Sequence, residues 1–200
     1  MHYPRTSMDD VETLLLAAQS GDDSAWRALV DGHSGLVWSI IRGFRFDNDT
    51  ANDVFQTVWL RLAENLFRIR QPNRLASWLG QTTRNECVGV TRQRTRLVPT
   101  GDDPEQLPLI EPHRELFPLP GENMERDLER QAVVAAFARL GERCRVLLAM
   151  LVSDTPPSYV EISEILDIPV GSIGPTRARC LNTLKNSPEI SRISHSSQSS

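Results

Sequence analysis

Between Arg68 and Arg96 the chain carries seven arginines against a single acid, Glu86, a local charge of +6. A guanidinium is always charged and presents a planar fork of donors that fits phosphate. Here the arginines stand among Asn73, Trp78, Gln81, Thr82, Thr83 and Asn85. That mixture suits single-stranded DNA, because cations follow the phosphates while amide and hydroxyl groups read unstacked base edges. A solvated basic face is the competing reading of the same arginines. Trp78 has its own competing reading: with Leu75 and Leu79 it makes an i, i+3, i+4 set of the kind that packs a helix against a core.

Covalent and metal chemistry find little support. Cys87, Cys144 and Cys180 are odd in number and far apart, and no C-x-x-C or H-x-x-x-H spacing suggests zinc. Three reduced, mostly packed thiols are therefore expected, with no metal and no cofactor. His2, His33, His113 and His195 are scattered, and neither a nucleophile motif nor a glycine-rich phosphate loop occurs. These absences argue against an enzyme.

A second polar set lies just upstream. With 100° per residue, Ala51, Val54, Phe55, Val58 and Leu62 share an arc about 100° wide, an ordinary core-facing stripe. Asp49, Asp53 and Gln56 fall on the opposite side with Leu60 among them. Two acids near a helix start are favoured by the helix dipole whatever their function. A leucine among exposed carboxylates is also compatible with a protein-binding surface.

The elements that must position these sets are helical, with no strand-like alternation to compete. Asp22 or Asp23 is placed to cap a helix carrying Trp26, Leu29 and Val30, and Leu36 to Phe44 continue at helical spacing. Further helices are expected from near Asp49, from Arg74 to Arg94, from Asp127 to Leu140 and from Glu142 to Val152. Leu66 to Arg74 reads as a turn or loop broken by Pro72. Leu97 to Glu125 differs in kind, with seven acids, one base and six of the chain's thirteen prolines. Proline removes a donor and biases its predecessor away from helix, so this stretch reads as a linker. Its charge of −6 hides the basic block inside a whole-chain charge of −4. We expect this linker to mask the basic segment until a partner binds.

After the linker, Ser158 to Asp167 reads as a short helix following a Pro-Pro breaker. Ile168 to Ser172 reads as a tight turn, and Ile173 to Lys185 as a second helix with Ser172 as its N-cap and Pro175 in its first turn. This is either a helix-turn-helix, which would offer Thr176, Arg177, Arg179 and Lys185 to a major groove, or a plain helical hairpin. Met1 to Asp10 lacks a signal-peptide core and no apolar run spans a bilayer, so a cytoplasmic protein without membrane insertion is expected.

Taken in order, three motifs resemble one family. Asp49-x-x-x-Asp53-x-x-Gln56 with Trp78-Leu79 and Arg84-Asn85 resembles region 2 of extracytoplasmic-function sigma factors of the sigma-70 family. Leu140-Gly141-Glu142-Arg143-Cys144-Arg145-Val146-Leu147-Leu148 resembles their region 4.1, and Ser158 to Arg179 their region 4.2. The resemblance implies an all-α protein of two small helical domains joined by a Pro-rich acidic linker. Region 2 would occupy 10–96, the linker 97–125, region 4 with its helix-turn-helix 126–186, and a disordered tail 187–200. It implies a non-enzymatic role, directing core RNA polymerase to promoters. Asp49, Asp53, Gln56 and Leu60 would meet the β′ clamp helices, and region 4 the β flap. Arg68, Arg70, Asn73 and Arg74 would help capture a flipped base of the −10 element, while Arg84, Asn85 and Arg92 would contact the melted strand. Ser172, Thr176, Arg177 and Arg179 would sit at the −35 duplex. An anti-sigma factor is a further partner that the family implies.

An extended linker of this length reaches about 90 Å, against about 70 Å for two turns of duplex. It is long enough to join two separated DNA readers. Gly80 and Gly89 depart from the family pattern by interrupting a helix that usually carries larger residues.

Overall fold

The computed structural model describes residues 8–69, 71–97 and 124–191, and every regular element among them is helical. The first module comprises α1 (Met8–Gln19), α2 (Asp23–Arg42), α3 (Asn48–Asn65) and α4 (Leu75–Leu97), with two 3-10 turns, Leu66–Arg68 and Pro72–Arg74, before α4. The second comprises α5 (Met124–Arg139), α6 (Glu142–Leu151), α7 (Tyr159–Leu166) and α8 (Val170–Lys185).

The helix starts follow from local chemistry. Asp22 caps α2 by accepting the backbone N–H groups of Ser24 and Ala25. Asp47 caps α3 through the N–H of Thr50 at 2.8 Å. Ser158 and Glu161 form a reciprocal capping box at α7. Between α2 and α3 the chain turns through Arg45, which takes a left-handed conformation at φ 59°.

On α3 the apolar stripe is buried as its spacing predicts: Ala51, Val54, Val58 and Leu62 face inward, and Phe55 stacks on Trp38. Trp59 also turns inward, edge-on to Trp26 and Phe55. Trp78 packs against this core, resolving its two readings in favour of packing.

The two modules do not keep separate cores. Val146, Leu147 and Met150 of α6, Ile162, Ile165 and Leu166 of α7, with Ile168 and Ile173, belong to one apolar cluster with Leu29, Val37, Ile40, Leu75 and Leu79. Helix α6 packs on α2, and α7 on α4. Each fully buried aliphatic side chain is worth about 1.5–3 kcal/mol relative to exposure, so this cluster is a substantial contact. A smaller cluster, Leu140, Leu148 and Cys180, lies within the second module.

Several expectations need correction. Cys144 and Cys180, 36 residues apart, are joined by a disulfide between α6 and α8; Cys87 alone is free, and it is buried. The odd count concealed a pair that the α6–α8 packing brings to a Cα separation of 5.5 Å. Ser172 does not cap α8. That helix begins three residues earlier, at Val170 after Pro169, and Ser172 donates its hydroxyl to the Pro169 carbonyl from within the first turn. Pro175 consequently sits beyond the first turn, where its missing N–H leaves the Gly171 carbonyl without its helical partner. The tight turn is shorter than expected and depends on Asp167, left-handed at φ 53°, rather than on Gly171. At the start of the expected tail, residues 188–191 form a helical turn, with Glu189 3.3 Å from Arg139. Of the expected linker, 97–125, residues 98–123 lie outside the described residues, as do Arg70 and 192–200, while Leu97 ends α4 and residues 124–125 begin α5.

Candidate nucleic-acid and protein interface

Asp49, Asp53, Gln56 and Leu60 are all exposed on the outer side of α3, Leu60 at 65%. The helix is held from beneath and at its start. Arg61 pairs with Glu86 of α4 at 2.7 Å. Arg94, near the end of α4, reaches Asp47 at 2.6 Å, also bonds the Thr50 hydroxyl, and lies over the Phe46 ring. The Thr50 N–H, then Arg94 and the Thr50 hydroxyl, hold the Asp47 carboxyl far below the usual carboxylate range. Arg94, one of the seven basic-block arginines, is thus a structural strut.

The other arginines divide. Arg68, Asn73, Asn85 and Arg92 are exposed, and Arg68 makes only a long contact, 3.4 Å, to Asn65. Arg74 is exposed but has its guanidinium 3.9 Å from Glu164 of α7. Arg84 is half-buried, with Nη2 3.5 Å from Glu142 in the first turn of α6 and Nε buried without a partner. Gln81 donates to the Glu164 carbonyl at 3.1 Å. Part of the candidate DNA surface therefore faces carboxylates of the second module.

On α8 the candidate residues Arg177 and Arg179 are exposed, while Thr176 is half-buried and Ser172 is engaged with Pro169. Ile173 and Cys180, both buried, hold this helix against the module. Helix α7, the three-residue turn and α8 have the layout of a helix-turn-helix, with the arginine face of α8 turned outward.

Sequence reasoning missed the residues that join the modules. Arg145 donates from Nε to the Gly43 carbonyl at 2.7 Å and from Nη1 to the Leu140 carbonyl. Burial, with Arg45 nearby, pushes its guanidinium down to about 10, against the pull of Glu142. Arg45 donates to the Ala138 carbonyl at 3.1 Å. No motif marks either arginine, because their acceptors are backbone carbonyls about a hundred residues distant in sequence.

The family described as sigma-70 region 2 matches residues 29–97, from α2 through the end of α4. That match covers 69 of the 200 residues. The matched span contains both the acidic face of α3 and the arginines of α4. Among solved structures, the chain is similar in fold to CnrH, solved in complex with the cytosolic domain of CnrY. The TM-score is 0.59 at 18% identity, covering 86% of this chain and 93% of that one. No curated protein matches the sequence. No helix among the described residues is long and apolar enough to cross a membrane.

Proposed function

We propose that this chain is a sigma factor of the extracytoplasmic-function type that binds core RNA polymerase and directs it to promoters through two DNA readers. The observation that carries the reading is the region 2 match, whose span holds an exposed acidic face on one helix and an arginine-bearing helix beside it. Two small helical modules without a larger domain between them agree with that type. Asp49, Asp53, Gln56 and Leu60 would meet the β′ clamp helices. Arg68, Arg70, Asn73 and Arg74 would line the pocket for a flipped −10 base, and Arg84, Asn85 and Arg92 would track the melted strand. Unpairing a base costs a few kcal/mol, so a pocket that accepts only the right base selects sequence as it melts DNA. Thr176, Arg177 and Arg179, with Ser172 at the helix start, would read the −35 duplex, and the second module would lean on the β flap. An anti-sigma factor would be a further partner; CnrH was solved bound to a second protein.

The test is direct. Purified protein is mixed with core polymerase and a promoter library, and the transcripts are sequenced. A defined set of start sites is expected, and failure to associate with the polymerase would overturn the reading. Asp53→Lys, on an exposed position, should abolish association while leaving helicity unchanged; normal affinity would remove α3 from the proposed polymerase face.

A further inference from the structure

We propose that Cys144 and Cys180 form a reversible thiol–disulfide site, at which Cys144 reacts first with low-molecular-weight disulfides and the closed bond seats α8 for duplex DNA. The thiol chemistry stands by itself; its effect on DNA rests on the proposed function.

The two sulfurs differ in access. Cys144 is half-buried in the first turn of α6, whereas Cys180 on α8 is 1% exposed. No side chain caps α6, which starts after Gly141, so its first N–H groups keep their partial positive charge for an anion in that turn. Arg143 and Arg145 flank Cys144, against one acid, Glu142. Such surroundings favour the thiolate, which is the reacting form. Cys87 is the internal contrast. It is unpaired and buried, and burial, then Glu142 and Glu86, pushes its thiol far up.

The exchange balances in two steps. The Cys144 thiolate attacks one sulfur of a small disulfide, forming a mixed disulfide and releasing one thiolate. Cys180, once deprotonated, attacks the Cys144 Sγ and expels the second. Two protein thiols become one bond, one small disulfide becomes two thiols, and a dithiol reductant reverses both steps. The Cα separation of 5.5 Å is one that a disulfide spans without backbone movement. A chain that works with RNA polymerase meets a thiol-rich medium, where disulfides are characteristically transient and sensing.

Little else holds the second half of α8. Ile173 near its start and Cys180 are its buried side chains, and Pro175 interrupts the hydrogen-bond ladder between them. The cluster around Cys180 consists of Leu140 and Leu148, with Phe137, Cys144 and Leu184 packed against it. Arg179 precedes Cys180 and Arg177 lies one turn back, both exposed. The bond therefore fixes the face that carries both proposed DNA contacts. Without it, α8 is anchored chiefly at Ile173, and apparent duplex affinity falls with the fraction of molecules in which the helix is seated.

Reduced full-length parent, Cys144→Ser, Cys180→Ser and Cys87→Ser would be mixed with glutathione disulfide and followed by intact mass. The parent and Cys87→Ser should lose two hydrogens and retain no glutathione. Cys180→Ser should stop with one glutathione on Cys144, and Cys144→Ser should react about tenfold more slowly. Oxidised and reduced parent would then be compared by amide exchange and by binding to a short random-sequence duplex at matched salt. Reduction should speed exchange in α8, leave α2 and α3 unchanged, and weaken duplex binding about fivefold. Cys180→Ala, apolar like the cluster it would fill, carries both comparisons should Cys180→Ser fail to fold. A Cys180 that reacts first, α8 exchange indifferent to the bond, or unchanged duplex affinity would overturn the proposal. If these results are as expected and the parent still fails to bind core polymerase, the sigma-factor reading falls and the thiol site stands.

Discussion

Asp47 shows how one side chain can serve two helices. It caps α3 and receives Arg94 from the far end of α4, and both contacts favour its charged form. Because its folded pKa lies below the ordinary value of 3.8, its contribution is complete above that value and is lost as pH falls towards the folded pKa. Asp47→Ala should cost about 1 kcal/mol at neutral pH. Urea midpoints should show that difference constant above about pH 5 and shrinking below about pH 4; a penalty that grows on acidification would contradict the assignment. The exposed arginines of α8 invite a different measurement. Arg177→Ala should weaken promoter binding by about 1–3 kcal/mol and relax preference at one base pair if it reads a base edge. A uniform loss across sequences would make Arg177 a phosphate contact. Arg177 and Arg179 were legible in the sequence because a surface arginine on an amphipathic helix declares its face. Arg145 was not, since its acceptors are carbonyls of Gly43 and Leu140, groups common to every residue type.

Among elements, the pair α6 and α8 is the one that the sequence misrepresented most. The 3.6-residue pattern located both helices, but nothing local brings Cys144 to Cys180; that requires knowing how α8 crosses α6. Closing a loop of that length constrains the unfolded chain by about 3–4 kcal/mol in the chain-entropy view. Cys144→Ser/Cys180→Ser, or the parent under strong reductant, should melt earlier by an amount of that order in chemical denaturation. Equal midpoints with and without reductant would show that the cross-link adds nothing beyond packing. The α3 face is the opposite case, because Asp49, Asp53, Gln56 and Leu60 came directly from helical geometry and all four are exposed. The start of α8 was misplaced by three residues because Ser172 is a better capping type than Pro169. The left-handed Asp167 ends α7 early enough for Pro169, with its fixed φ, to lead into the next helix.

At the scale of the whole molecule, the two modules and their helices were readable from periodicity and charge, while their contact was not. Gly80 was noticed as a departure from the family pattern, and the close approach of Ile165 supplies the reason. The basic block was expected to be screened by the acidic linker. That linker lies outside the described residues; among the described ones, Glu164 of α7 and Glu142 of α6 reach Arg74 and Arg84. The shared apolar cluster carries a consequence for the covalent chain itself. Since side chains hold the halves together, continuity through residues 98–123 is not required for them to meet. Two separately expressed polypeptides, one ending at residue 97 and the other starting at 124, should reconstitute a one-to-one heterodimer on mixing, detectable by analytical ultracentrifugation. Gly43→Ala in the first piece, whose added Cβ would lie 2.9 Å from the Val146 Cα, should abolish that reconstitution. Such a split pair would turn an intramolecular equilibrium into a concentration-dependent one, so the strength of the contact between the modules could be titrated directly as a dissociation constant.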